Sequence, residues 1–316
     1  MIAVTIVIPF HNRHRYFERL FDGLSGISMD NVEIVFVDNN SDLKTRAVME
    51  WLCEKLSATT TLTVSIIRET KNGSAAARNA GLHIAKGEYV YFFDSDDEFS
   101  PEFIPVAYGK AKEKDFDAVA IRTKIVFPDG KTRAKKMLRS SSPAVQIVCN
   151  NFATQSLMVK RSFALGNALW NETLFYWNDL EWGLRILIAR PKMAWLKGCY
   201  HRIYLHADSI TGAGFADRID KIICAHKAIR RDIVDLMQSS EQTKLLKSLN
   251  CRIAIYAGHV YREATKGDAL QLLSCIDKTV ASRLHKIKLS LLYCLSRRGV
   301  PGLWRIALMH PLEAKF

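Results

Sequence analysis

At 316 residues with 48% hydrophobic side chains, the chain describes a globular protein with an ample core, and one catalytic domain plus an appendage is the expected division. Lys and Arg number 45 against 32 Asp and Glu, a formal charge of +13, so an anionic partner is expected: nucleotide phosphates, nucleic acid or a lipid surface. The seven cysteines are odd in number and scattered without CxxC spacing, which argues against a disulfide framework or a zinc site.

The opening Met1-Ile2-Ala3-Val4 lacks a basic region followed by a long apolar segment, so neither a signal peptide nor a spanning helix is expected and a cytoplasmic location follows. Val4 to Ile8 is a β-branched run closed by Pro9. The polar His11-Asn12-Arg13 leads into a helix from Tyr16 to Leu24, whose Phe17, Leu20, Phe21 and Leu24 share a face. Val32 to Val37 repeats the strand pattern and ends in Asp38-Asn39-Asn40-Ser41-Asp42, which caps a helix from about Leu43 to Leu56. Leu62 to Ile67 reads as a third strand. Asn72-Gly73 then opens an Ala-rich helix, Ser74 to Ile84, suited to close packing on a sheet. After Gly87 the run Tyr89 to Phe93 reads as a buried strand that ends in Asp94-Ser95-Asp96-Asp97. Strands alternating with helices imply a parallel sheet with right-handed crossovers and its polar loops along one edge.

Beyond Pro101 the spacing predicts a helix over 102–114 and a strand over 118–127. A Pro128-Asp129-Gly130 turn follows, with a hairpin continuing through 131–138. The basic Lys131, Arg133, Lys135, Lys136 and Arg139 read as a solvated hairpin face or as an acceptor or membrane patch. Trp177 to Trp182 opens a helix with Leu184, Leu187 and Ile188 on its apolar face, and Asp179 and Glu181 sit at its positive end, where acids commonly cap. Ala194 to Leu205 is strand-like and leads to His206 and Ser209-Ile210-Thr211. From Ala216 the chain becomes helical, with helices over 219–237, 243–263, 267–275 and 276–296. In the last of these Val280, Leu284, Ile287, Leu291 and Leu295 recur at helical spacing among Lys278, Arg283, His285, Lys286, Lys288, Arg297 and Arg298. Two readings stand for this basic amphipathic helix. It lies in an anionic lipid interface through residues 277–316, each base adding about 1 kcal/mol, or it packs its stripe on the catalytic domain.

The acidic strand end carries the chemistry. Carboxylates this close repel one another unless a cation sits among them, and hard oxygen ligands suit Mg²⁺ or Mn²⁺ rather than zinc. Such an ion would in turn hold a phosphate, and ligands of open α/β sheets bind outside the carboxyl ends of the strands. A solvated acidic turn is the alternative reading of the cluster taken alone.

Thr5 to Asn12, Glu33 to Asp42, Asn72-Gly73 with Ala77-Arg78-Asn79-Ala80-Gly81, and Tyr91 to Asp97, in that order and spacing, resemble an inverting glycosyltransferase of the GT-A fold, family 2. The resemblance implies an α/β fold, a doubly wound mixed sheet, in a catalytic domain over 1–215 with its nucleotide-sugar part in 1–100 and its acceptor part in 101–215. The helical region over 216–316, read from its spacing, lies outside the resemblance and makes a C-terminal helical extension. The resemblance also implies a nucleotide-sugar donor, usually a UDP-sugar, whose diphosphate is bridged by Mn²⁺ or Mg²⁺ to the DxD acids. Carried over, Pro9, Phe10 and Asn12 line the nucleotide pocket, Asp38 bonds the base, and Asn72 and Arg78 lie beside base or sugar. Asp94 and Asp96 are the DxD pair with Ser95 between them against the donor, and His206 completes the metal site or touches the diphosphate. Inversion needs a base opposite the leaving group. The family's acidic pair at a helix start maps onto Asn178-Asp179-Leu180-Glu181, making Asp179 the base and Glu181 the runner-up. Asn178 stands where Glu is usual, His11 where Tyr is common, and Asn39-Asn40 replaces a more acidic run.

The expected reaction moves one sugar from a UDP-sugar to a hydroxyl of a surface glycan or glycolipid, such as a lipopolysaccharide core, capsule or exopolysaccharide, with peripheral association at the inner face of the plasma membrane if the tail binds lipid. A nucleotidyltransferase making the sugar nucleotide would want a Gly-rich phosphate loop after the first strand, and Pro9-Phe10-His11-Asn12 has none. A nucleic-acid-binding protein would want a basic stripe interleaved with stacking aromatics, which the sequence lacks. A degenerate transferase that binds nucleotide without turnover is the remaining alternative. The sequence does not specify an oligomeric state.

Overall fold

The computed structural model describes residues 1–206 and 218–309, and the chain divides into two compact units. The first is Met1–Arg139, Phe152–Phe175 and Ala189–Ser209; the second is Ser140–Asn151, Tyr176–Ile188 and Ile210–Phe316. The boundary expected at residue 215 lies outside the described residues, as do Ser209, Ile210 and Thr211.

Through the first unit run β1 (Val4–Phe10), α1 (Phe17–Ser25), β2 (Val32–Asp38), α2 (Leu43–Thr59), β3 (Thr63–Arg68), α3 (Ser74–Ile84), β4 (Tyr89–Phe92), α4 (Phe103–Lys112), β5 (Ala118–Val126) and β6 (Thr132–Ala134). The chain then forms α5 (Pro143–Cys149), β7 (Leu157–Lys160), α6 (Arg161–Asn167), α7 (Asn178–Ile188) and β8 (Met193–Tyr204). Five helices follow: α8 (Ile219–Leu236), α9 (Ser239–Glu263), α10 (Lys266–Ser274), α11 (Arg283–Arg297) and α12 (Trp304–Leu308). No helix among the described residues is long and apolar enough to cross a membrane.

The first unit holds one mixed sheet in the order β3-β2-β1-β4-β7-β5-β6, with β8 paired to β5. β3, β2, β1 and β4 are mutually parallel, so their carboxyl ends, Arg68, Asp38, Phe10 and Phe92, meet along one edge as the alternating pattern predicts. All seven residues of β2 are buried, as expected of a parallel strand covered on both faces. The one charge within it short of the edge, Glu33, is satisfied. It accepts from Thr5 Oγ1 at 2.6 Å and Lys86 N at 2.9 Å, while Thr5 Oγ1 accepts from Gly87 N at 2.8 Å. This network ties β1, β2 and the turn before β4 together. The Ala-rich face of α3 fulfils its sequence reading, for a Cβ added at Gly81 would come within 2.3 Å of Val7 Cγ1.

Sequence reading missed β7, which lies antiparallel between β4 and β5. Its four residues carry no turn signal, and only pairing with strands distant in sequence makes them a strand. The hairpin expected over 131–138 shrinks to β6, three residues antiparallel to β5.

His201 sits in β8 among the rings of Tyr91, Phe93, Phe99 and Phe103, with centroids 4.8 to 5.5 Å away. Its Nδ1 accepts from Ser100 N at 3.0 Å, and its own backbone N donates to Ser100 Oγ at 2.7 Å. Burial pushes its pKa from 6.5 down to about 3, so the folded protein holds it neutral where the unfolded chain takes a proton. Stability contributed by His201 is therefore complete above pH 6.5 and lost as pH falls from there toward 3. His201→Asn suits the left-handed backbone here (φ 55) and removes the titration. Urea midpoints at a series of pH values should show the variant weaker at pH 8 yet losing less on acidification; parallel acid slopes would rule His201 out as the source.

The second unit is helical and is built on the 25-residue α9, which packs against α5, α8, α10 and α11. Val148 of α5, Cys251 and Ala254 of α9, Leu289 and Leu292 of α11, and Leu303 and Ala307 form one apolar cluster. The helix expected over 276–296 begins instead at Arg283, because Ser282 Oγ caps it by accepting from His285 N. The preceding turn is pinned elsewhere: Asp277 N donates to Asn250 Oδ1 at 2.9 Å, and the Asp277 carboxylate pairs with Arg230 at 3.0 Å. Leu295 of the expected stripe packs against this cluster, partly buried, but the fully buried members from α11 are Leu289 and Leu292, outside the stripe, and His285, expected among the bases around it, is buried on the same side of the helix.

Candidate active site

Strand-end loops build the nucleotide-side candidate in the first unit. Asn12 and Asn40 take left-handed backbone (φ 53 and 60), which Asn tolerates because its short polar side chain bonds locally. Asn12 Oδ1 accepts from Asp42 N at 2.8 Å, and Asn40 Nδ2 donates to Asn72 Oδ1 at 2.6 Å. Asn39, to which the sequence reading gave no role, is the hub. Its Nδ2 donates to the Glu69 and Lys71 carbonyls and its Oδ1 accepts from Gly73 N at 2.8 Å, while its carbonyl lies 2.8 Å from His11 Nδ1. Gly73 holds φ 123, a conformation for glycine, and any Cβ there would meet the exposed Phe175 ring at 3.3 Å. Asp38 spends both carboxylate oxygens on its own chain: Oδ1 accepts from Ser41 N at 2.8 Å and Oδ2 pairs with Arg46 at 3.1 Å. Pro9 and Phe10 close β1 beside this loop, and the Phe10 carbonyl accepts from Asn39 N at 2.9 Å.

The acidic turn after β4 gives its carboxylates unlike surroundings. Asp94 accepts from Arg78 Nη2 at 2.7 Å, and that buried guanidinium lies 4.4 Å from the Trp170 ring centroid. Next to Arg78, Asn79 holds the 170–172 segment, exchanging bonds with the Trp170 backbone and donating to Glu172 at 2.8 Å. Ser95 is buried. Asp96 Oδ2 lies 2.9 Å from His206 Nε2 and 3.6 Å from Arg13 Nε, while Arg19 donates to the Asp96 carbonyl and stacks on Tyr204 at 3.8 Å. The sequence reading gave Arg13 and Arg19 no role at this site, although each stands in the first polar loop or helix turn and each contributes to the +13 charge. Asp97 plays a different part. It is buried, accepts from Gln155 Nε2 at 2.6 Å and Tyr204 N at 2.8 Å, and so clamps β8 to the turn. Burial first, and then the charges of Asp96 and Asp94, push its carboxyl well above the usual range.

Asp96 and His206 put a carboxylate oxygen and an imidazole nitrogen side by side, with Asp94 on the same turn; the carboxylates suit Mn²⁺ or Mg²⁺, and an imidazole ligand favours Mn²⁺ of the two. Among the described residues no cluster of three or more His, Cys, Asp or Glu is gathered to hold a metal by itself. The fit is therefore to an ion that takes one or two carboxylates from protein and the rest of its oxygens from a bound phosphate.

The second unit carries the other candidate acids at the start of α7. Asp179 accepts from Leu180 N at 2.8 Å through Oδ1 and from Asn150 Nδ2 at 2.9 Å through Oδ2. Asn150, left-handed at φ 46, is the residue that ends α5. Glu181 is 1% exposed, with Arg185 donating to it at 2.6 and 3.2 Å. Beside it, burial and the Glu181 charge push Asp232 up to about 7. Arg252 of α9 secures both segments that carry the Asn150–Asp179 pair. Its guanidinium donates to the Ile147 and Val148 carbonyls at 3.0 and 3.3 Å and lies 4.3 Å from the Trp177 ring centroid. Burial pulls the pKa of this guanidinium down, and the charges of Tyr256 and Asp179 oppose that shift. Arg252→Ala leaves helix-end carbonyls without their donor and is expected to cost about 2–4 kcal/mol of stability, with Arg252→Lys between it and wild type. Thermal denaturation checks this, and unchanged melting of the Ala variant would show that the guanidinium holds nothing together.

Residues 5–174 match the family model described as glycosyl transferase family 2. Glycosyltransferase GlyG of Streptococcus pneumoniae is 29% identical over 116 residues, 37% of this chain and 37% of that protein. The poly(ribitol-phosphate) β-N-acetylglucosaminyltransferase TarS of Staphylococcus aureus is 28% identical over 150 residues, 47% of this chain and 25% of its own length. The chain thus matches well under two thirds of either relative. In structure it is similar to TarS residues 1–349 in complex with UDP-GlcNAc, with a TM-score of 0.72 at 18% identity over 97% of this chain and 90% of that one. It is also similar to a mannosyltransferase from Pyrobaculum calidifontis in complex with GDP-Man and Mn²⁺, with a TM-score of 0.57 at 16% identity over 97% and 85% of the two chains. The sheet, its acidic strand end and this match over residues 5–174 agree: the fold is GT-A, and the chain belongs to glycosyl transferase family 2.

Proposed function

We propose that the protein is an inverting glycosyltransferase that moves one sugar from a UDP-sugar to a hydroxyl of a surface glycan such as a lipopolysaccharide core, capsule or exopolysaccharide. The observation that carries this reading is Asp96 set beside His206 and Arg13 at the carboxyl edge of the parallel strands, where a diphosphate and its cation are expected. TarS, named for transfer of N-acetylglucosamine to poly(ribitol-phosphate), supports a sugar nucleotide as donor and a glycopolymer as acceptor.

In this reading the loop knitted by Asn39, with Pro9, Phe10, Asn12 and Asn72, receives the nucleoside. Asp38 serves by holding that loop against α2 as well as by facing the base. Asp94, Asp96 and His206 hold Mn²⁺ or Mg²⁺, which when bound stabilises the charge that develops on the departing diphosphate. Arg13 and Arg78 add fixed positive charge to the same end, and Ser95 lines it. Asp179 accepts the proton of the acceptor hydroxyl as that oxygen attacks the anomeric carbon. Glu181 is a poorer base, since it is sealed from solvent and already engaged by Arg185.

A panel of UDP-sugars with Mn²⁺, scored for slow donor hydrolysis with and without EDTA, tests the proposal. One UDP-sugar should be hydrolysed in a chelator-sensitive way. Hydrolysis of none, or release of pyrophosphate from a nucleoside triphosphate and a sugar phosphate, would favour a degenerate binder or a nucleotidyltransferase instead.

A further inference from the structure

Among the described residues, the C-terminal helices leave an apolar row uncovered. Along α11, Leu284, Ile287 and Leu291 are 64%, 58% and 47% exposed, and their spacing puts them on a single face. The opposite face, through Leu289 and Leu292, is the one buried in the cluster with α9. Packing on α9 is therefore already provided for without the exposed row, and the amphipathic pattern of this helix has a second apolar side. The charge around that side is of one sign: from Lys278 to Leu312 the sequence holds seven Lys and Arg and no Asp or Glu. Arg283, Lys286 and Arg298 are exposed on α11 or at its end.

We infer that this face of α11 lies on the surface of an anionic bilayer, with Leu284, Ile287 and Leu291 dipping below the headgroups and Arg283, Lys286 and Arg298 meeting lipid phosphates. A helix with a narrow apolar row and a wholly basic polar flank lies in an interface rather than across it, and anionic lipid supplies both the apolar layer and the complementary charge. The uniform sign selects this occupant. An apolar groove on a protein would cover the row equally well but would give no reason for the exclusion of acids over thirty-five residues of sequence.

Co-sedimentation of the full chain with vesicles tests this without donor or acceptor, so its outcome is independent of the transfer reaction. Binding is expected to mixed phosphatidylglycerol–phosphatidylcholine vesicles, with little to phosphatidylcholine alone, and to weaken as salt is raised. Leu284→Gln/Ile287→Gln/Leu291→Gln, at positions already exposed, should melt like wild type and partition at least tenfold less. Arg283→Gln/Lys286→Gln/Arg298→Gln should lose the preference for anionic lipid. Equal partitioning of wild type and the apolar triple variant, or no binding of the wild type to anionic vesicles, overturns the inference. So does a wild-type dimer that the apolar triple variant dissociates in the absence of lipid, since the row would then be a contact between two copies of this chain.

Discussion

Asp179→Asn is expected to lower sugar transfer about 10²- to 10⁴-fold while leaving UDP binding and melting temperature close to wild type. The amide is nearly isosteric and can still meet Leu180 N through its oxygen, so α7 keeps its start, but it has no lone pair basic enough to take the acceptor's proton. Asn150 Nδ2 fixes the carboxylate by donating to Oδ2, so Asn150→Ala should give a smaller loss with the fold retained. A calorimetric UDP titration run beside the transfer assay separates the two effects. Equal turnover by the Asp179 variant would move the base to Glu181, whose oxygens accept from Arg185, or elsewhere.

Asp96→Ala should remove metal-dependent donor binding while the protein stays folded. Loss of even an outer-shell partner costs about 10–100-fold in metal affinity, so loss of a direct ligand is expected to weaken Mn²⁺-supported UDP binding by at least about 100-fold. The side chain is 19% exposed, and its nearest ion partners are His206 and Arg13 rather than core atoms. Asp97→Ala is the contrasting control. It strips Gln155 and Tyr204 N of a buried acceptor, so its principal effect should be a loss of stability of about 1–3 kcal/mol. UDP titrations with Mn²⁺ and with EDTA, paired with melting curves, distinguish these outcomes. If Asp96→Ala bound UDP as tightly as wild type in Mn²⁺, the acids would not be the metal anchor.

The local chemistry of the chain fixes much of the first unit. β-Branched runs bounded by Pro9, Gly87 and Asn72-Gly73 specify β1, β3 and β4, and alternation with helices specifies their parallel order, because crossovers have one favoured hand. The acidic turn and the Asn-rich loops were legible for the same reason: short polar segments at strand ends have few other structural uses. What the sequence could not assign is set by contacts between distant residues. β7 exists because β4 and β5 flank it, and Asp97 differs from Asp96 because Gln155 and Tyr204, 58 and 107 residues away, close over it. Helical spacing in α11 singled out the row that includes Leu284, Ile287 and Leu291, and only packing on α9 determined that Leu289 and Leu292 would be buried and those three left outside. Periodicity along one segment states which residues share a face; which face meets the core depends on the surface that the rest of the chain presents to it.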